Sequence, residues 1–168
     1  NSGKIIACDM YEHKLKLIEK GAKRLGIDIV ETCLRDGSSD ENPLPIADRI
    51  LCDVPCSGLG VLSRKPEIRY KDDLIDTDLA DIQYKILCES AKYLKIGGKL
   101  VYSTCTLNPQ ENNKNTAKFL AEHNDFEGVE LELPPELKRA FDEKPYEITL
   151  MPHTFDGDGF YIAVLTRR

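Results

Sequence analysis

Short apolar runs rich in β-branched residues alternate along the chain with longer stretches whose apolar positions recur every three or four residues. This is the pattern of β-α units around a mostly parallel sheet. Residues 4–8 (Lys-Ile-Ile-Ala-Cys) predict a buried-type strand with Asp9 at its carboxyl end. Leu15, Ile18, Ala22 and Leu25 then stripe one face of a helix over 11–25 that Gly26 stops. A second strand over 29–34 leads into Arg35-Asp36-Gly37 and a loop too rich in Ser, Asp, Asn and Pro for regular structure. The third strand, 47–52, ends on Asp53. After a long loop, a helix over 78–94 carries Leu79, Ile82, Ile86, Leu87, Ala91 and Leu94 on one stripe and closes at Gly97-Gly98. Residues 99–104 make the fourth strand, 110–123 the next helix and 126–133 a fifth strand. A charged, proline-bounded excursion over 134–145 precedes final strands at 148–151 and 160–166.

One compact domain is the expectation for 168 residues of 41% hydrophobic content. The chain has no apolar run of membrane-spanning length, and Asn1-Ser2-Gly3-Lys4 opens neither a signal-peptide core nor an Arg-rich leader, so a cytoplasmic protein without a membrane partner is expected. Cysteines 8, 33, 52, 56, 88 and 105 lie mostly in apolar runs, where the residue acts as a small hydrophobe, and none forms a C-x-x-C pair. Neither a disulfide framework nor a metal site is expected. The net charge of −6 argues mildly against nucleic-acid binding, yet residues 63–71 (Ser-Arg-Lys-Pro-Glu-Ile-Arg-Tyr-Lys) gather four cations and one acid in nine positions.

Ligands of open α/β sheets bind beyond the carboxyl ends of the strands, and three successive strands here end near Asp9, Asp36 and Asp53. A carboxylate so placed accepts hydrogen bonds from ribose hydroxyls, or caps a turn or helix. The loop after the third strand reads Asp53-Val54-Pro55-Cys56-Ser57-Gly58-Leu59-Gly60, and the fourth strand runs into Ser103-Thr104-Cys105-Thr106. If those strands are neighbours, both thiols face one pocket; their bland alternative is a pair of buried hydrophobes. Two thiols and a carboxyl group suit substitution at C5 of a pyrimidine. Addition of a thiolate to C6 makes C5 enamine-like, and a carboxylic acid near N3 stabilises the adduct. Spacing alone leaves open which cysteine attacks.

Residues 53–70 and 101–112 (Val-Tyr-Ser-Thr-Cys-Thr-Leu-Asn-Pro-Gln-Glu-Asn) resemble motifs IV and VI of the RNA cytosine-C5 methyltransferases of the Sun/Fmu and nucleolar Nop2-like family. Residues 151–163 (Met-Pro-His-Thr-Phe-Asp-Gly-Asp-Gly-Phe-Tyr-Ile-Ala) are similar to that family's carboxyl-terminal motif. The resemblance implies a Rossmann-like class I S-adenosylmethionine-dependent methyltransferase fold acting on 16S ribosomal RNA. It further implies Cys105 as the nucleophile, Cys56 as the group assisting breakdown of the adduct, and Asp53 between cofactor and base. Asp9 is then expected at the ribose of S-adenosylmethionine and Asp36 at its adenine, while Arg64, Lys65 and Arg69 position RNA or form a solvated charge cluster.

The family pattern also carries, upstream of the 4–8 strand, another strand and a glycine-rich loop of the Ala-Pro-Gly-Gly-Lys type, to which nothing here corresponds. The resemblance therefore implies an incomplete catalytic domain over 1–168, without its first strand, its cofactor loop or an amino-terminal RNA-binding domain, and inactive in isolation. The gap would fall between the 4–8 and 47–52 strands, and is expected to close by direct pairing, to be filled by a second chain through self-association, or to leave the fragment poorly packed. Two readings compete with catalysis. One is a non-catalytic RNA-binding or ribosome-assembly module, for which a retained pair of thiols has no use. The other is a thiol-redox protein, which calls for a close C-x-x-C pair.

Overall fold

The computed structural model describes residues 1–70, 77–135, 137, 143–154 and 157–168. They form two compact units, Asn1–Pro43 and Leu44–Arg168.

In the first unit, β1 (Ile5–Asp9) pairs in parallel with β2 (Val30–Leu34), with Cys8 opposite Cys33 and Asp9 opposite Leu34. The crossover is α1 (Glu12–Arg24), whose one buried residue is Leu15. Residues 4–8 were expected to be a buried-type strand, but β1 has no buried residue and Ile5 is half exposed. An apolar run reports what a strand prefers, not what covers it, and a two-stranded sheet with one helix covers little.

The second unit is a mixed sheet in the order β3-β4-β7-β5, with β6 also on β7. β3 (Ala47–Asp53) lies parallel to β4 (Leu94–Thr104). β7 (Phe160–Arg167) runs antiparallel to β4, and its other edge is shared by β5 (Phe126–Gly128) and β6 (Glu147–Leu150). The expected parallel pairing thus holds for β1–β2 and β3–β4, and the carboxyl-terminal strands add antiparallel ladders. Among the described residues β1 carries its ladder to β2 alone and β3 to β4 alone.

Helices α2 (Thr77–Ala91) and α3 (Asn113–Glu122) cover one face. The core joins Leu87 and Ala91 of α2, Phe119 of α3, Leu94, Leu100 and Tyr102 of β4, and Tyr161, Ala163 and Leu165 of β7. Alternate residues of β4 and β7 point into it, as the two-residue period of a strand requires. Burial of each such leucine or phenylalanine contributes about 1.5–3 kcal/mol.

Three boundaries differ from expectation. α2 stops at Ala91, and Gly97, expected to close it, lies inside β4 with a left-handed φ of 75°. The ladder jumps there from Ala47–Leu94 to Arg49–Lys99, so the glycine serves a bulge. α3 begins at Asn113 instead of 110, because Asn108, Glu111 and Asn112 spend their side chains on the preceding loops. β5 ends at Gly128, where the Val129 amide donates to the Val164 carbonyl and the Val164 amide turns to Tyr146, handing the β7 edge to β6. Half of the 134–145 excursion, residues 136 and 138–142, lies outside the described residues.

Candidate active site

Parallel pairing of β3 and β4 sets Asp53 opposite Ser103, and the loops leaving these strands meet just beyond. The Val54 amide donates to the Ser103 carbonyl at 3.3 Å. Cys56 Sγ lies 3.0 Å from Cys105 Sγ. The two cysteines, 49 residues apart in sequence, are thus brought into contact, and both remain partly accessible. Burial, and then the neighbouring Cys105, push the Cys56 thiol up to about 12. Cys56 is therefore a neutral thiol at neutral pH, with an S–H to offer its neighbour.

Asp53 is exposed, with Oδ1 accepting from the Ser103 hydroxyl at 3.1 Å. It stands at the same strand ends as the thiols. Asp9 and Asp36 lie in the other unit, at the carboxyl ends of β1 and β2. Asp9 uses one oxygen to close a turn, accepting from the Tyr11 amide at 2.8 Å, while Lys14 Nζ stands 3.6 Å from the other. Asp36 accepts from the Ser38 amide and hydroxyl, which hold its carboxyl below the ordinary value. Both alternatives read from the sequence for these carboxylates are therefore compatible: a turn role is filled, and acceptor capacity is left over.

Arg64, Lys65 and Arg69 are exposed around a short 3₁₀ turn, Pro66–Tyr70. Arg64 Nε is bound by Asp158 at 2.8 Å, and Ser63 donates to the same carboxylate at 3.2 Å. This contact brings the Asp-Gly-Phe-Tyr segment to the loop after β3. Gly60 completes the link, its amide donating to the Cys105 carbonyl at 3.0 Å and its carbonyl accepting from Gly159 at 2.7 Å.

Sequence reasoning missed the polar scaffold beneath the thiols. Glu111, 1% exposed, accepts from the Ser57 amide and hydroxyl at 2.9 and 2.6 Å, Gln83 Nε2 at 2.8 Å and Asn108 Nδ2 at 3.0 Å. Asn112 accepts from the Thr104 hydroxyl at 2.6 Å and donates to the Thr106 carbonyl at 2.9 Å. One signal was available: Gln83 interrupts the apolar stripe of α2, four residues from both Leu79 and Leu87.

Solved structures share this fold. NSun6 from Pyrococcus horikoshii, solved with SFG, is 31% identical with a TM-score of 0.84, over 98% of this chain and 41% of that one. A methyltransferase homolog protein from the same organism is 27% identical with a TM-score of 0.78, over 99% of this chain and 54% of that one. The fold is thus a Rossmann-like α/β methyltransferase fold. A family model described as 16S rRNA methyltransferase RsmB/F matches residues 1–166, and the chain belongs to that family. The probable ribosomal RNA small subunit methyltransferase B of Bacillus subtilis is 40% identical over all of this chain and 38% of its own length. Its counterpart in Synechocystis is 34% identical over 99% of this chain, again 38% of the relative. The chain therefore spans little more than a third of these curated relatives.

Proposed function

We propose that this chain is the thiol-bearing part of an S-adenosylmethionine-dependent enzyme that methylates C5 of a cytosine in 16S ribosomal RNA through a covalent cysteine adduct. The observation that carries the reading is the contact between Cys56 and Cys105 at the ends of adjacent parallel strands. Binding alone gives two such thiols nothing to do.

Cys105 follows the last residue of β4, a strand paired on both edges, and is held where a nucleophile needs a fixed origin. Its thiolate adds to C6, and Asp53 stands at the same edge to hydrogen-bond N3 and the exocyclic amine. The carboxylates of Asp9 and Asp36 have the acceptor chemistry for the ribose and adenine of the cofactor. When bound, S-adenosylmethionine supplies the methyl group that C5 takes. Loss of the C5 proton to solvent water then restores the aromatic ring as the C6–S bond breaks, its electron pair returning to Cys105 as the thiolate. Cys56, protonated and in contact with Cys105, stabilises the departing thiolate by S–H donation. The exposed Arg64, Lys65 and Arg69 offer phosphate contacts to the RNA.

The test uses the full-length protein with 5-fluorocytidine-substituted 16S RNA and S-adenosylmethionine. A covalent complex that forms with the unaltered protein and with Cys56→Ala, but not with Cys105→Ala, is the expected result. Absence of any complex, or its loss in Cys56→Ala alone, overturns the reading or its choice of nucleophile.

A further inference from the structure

The two cysteines are held by different means. Cys105 continues a strand whose last residues are paired with β3 on one edge and β7 on the other. Cys56 sits three residues past the end of β3, and each of its neighbours is tied to one buried pair. The Pro55 carbonyl accepts from Gln83 Nε2 at 2.8 Å, and the Ser57 amide and hydroxyl donate to Glu111 at 2.9 and 2.6 Å. Gln83 Nε2 also donates to Glu111 at 2.8 Å, so the pair is one unit. Beside the sulfur contact runs a second bridge between the same two loops: Ser57 Oγ and Thr106 Oγ1 are 2.7 Å apart, with Thr106 fully buried. Because Glu111 takes the Ser57 proton, Thr106 is the donor in this bridge, and the chain of donation runs Thr106, Ser57, Glu111.

We propose that Glu111, with Ser57 and Thr106, is a positioning clamp that fixes Cys56 against Cys105, so that its loss slows release of the RNA adduct while leaving attack by Cys105 largely intact. Glu111 does not reach the reacting atoms; it acts through the loop that carries Cys56. Exchange of its carboxylate for an amide sets an N–H₂ group against partners that are themselves donors, and the loop loses at least one anchor. A displacement of about 1 Å in a reacting group is enough to cost on the order of 100-fold in rate. The inference rests on the releasing role proposed for Cys56.

The experiment compares Glu111→Gln, Thr106→Val, Thr106→Ser and Cys56→Ala in the full-length protein. Covalent complex is measured on unmodified 16S RNA and on its 5-fluorocytidine form, alongside methyl groups transferred per enzyme. The expected result is that Glu111→Gln and Thr106→Val lower turnover by roughly tenfold or more and accumulate complex on unmodified RNA, as Cys56→Ala does. Thr106→Ser, which keeps the hydroxyl, behaves as the unaltered protein, and complex formation with 5-fluorocytidine RNA stays within about threefold in all four. Should Glu111→Gln fail to fold, the near-isosteric Thr106 pair decides alone. Equal losses of complex formation and turnover overturn the proposal, since they mark a structural role; unchanged turnover in Thr106→Val overturns it as well. If Cys56→Ala itself accumulates no complex, the releasing role of Cys56 falls and the clamp falls with it.

Discussion

The Gly159 amide donates to the Gly60 carbonyl at 2.7 Å, a backbone bond that, beside the Arg64–Asp158 pair, joins the segment before β7 to the loop that carries Cys56. A Cβ on Gly60 would overlap the Gly159 carbonyl and lie 2.8 Å from the Cys105 carbonyl oxygen. Both obstacles are backbone and neither can step aside. Gly60→Ala is expected to cost about 1–3 kcal/mol of stability, read as a lower urea midpoint at constant slope. A midpoint unchanged from the parent's would refute the tight approach.

The raised thiol of Cys56 has a pH signature. Its ordinary value is 9.0 and the folded value is about 12, so the folded state favours the neutral form. The stabilisation is complete below pH 9 and is lost as pH rises from 9 toward 12. Urea midpoints measured at pH 8 and at pH 10.5 should fall less in Cys56→Ser, which does not titrate there, than in the parent. Equal declines would count against a raised thiol.

Two thiols 3.0 Å apart are also positioned for oxidation. Mild peroxide takes two electrons and two protons from the pair, yielding a Cys56–Cys105 disulfide and water. Non-reducing peptide maps should contain that cross-link ahead of any involving Cys52, which is buried. Methyl transfer by the full-length protein should cease on oxidation and return with dithiothreitol. A map in which both cysteines stay free would show that the contact cannot close.

Arg64, Lys65 and Arg69 are expected to act on affinity and not on chemistry. Each change to alanine should weaken RNA binding and reduce the salt slope of binding by about one. Asp158→Asn, which removes the carboxylate paired with Arg64, should strengthen binding. Salt titrations of RNA affinity in the full-length protein measure both effects, and unchanged slopes in the alanine variants would assign these residues to a solvated cluster.

The parts that were legible in the sequence are those carried by local pattern. Cys56 and Cys105 were readable because each lies at or just beyond the end of an apolar strand, and neighbouring strands bring their ends together. Glu111 was not, because its partners Ser57 and Gln83 lie 54 and 28 residues away and no local spacing announces them. Gly97 was misread for another reason: a left-handed glycine serves a helix end and a bulge equally well, and only the pairing of Leu94 with Ala47 decides between them. The exposure of β1 was hidden in the same way, since an apolar run does not name its cover.

The position of β7 bears on how the protein is made. β4 leaves the ribosome before the strand that pairs with its second edge, and residues 105–159 must be synthesised in between. At about 5–20 residues per second this wait lasts on the order of seconds. During it the β4 edge is bare, and the Gly60 carbonyl lacks the Gly159 amide that joins it in the finished fold. The loops that carry the two thiols therefore gain their last backbone contact only when β7 arrives, and until then the second edge of β4 is open to pairing with any other strand.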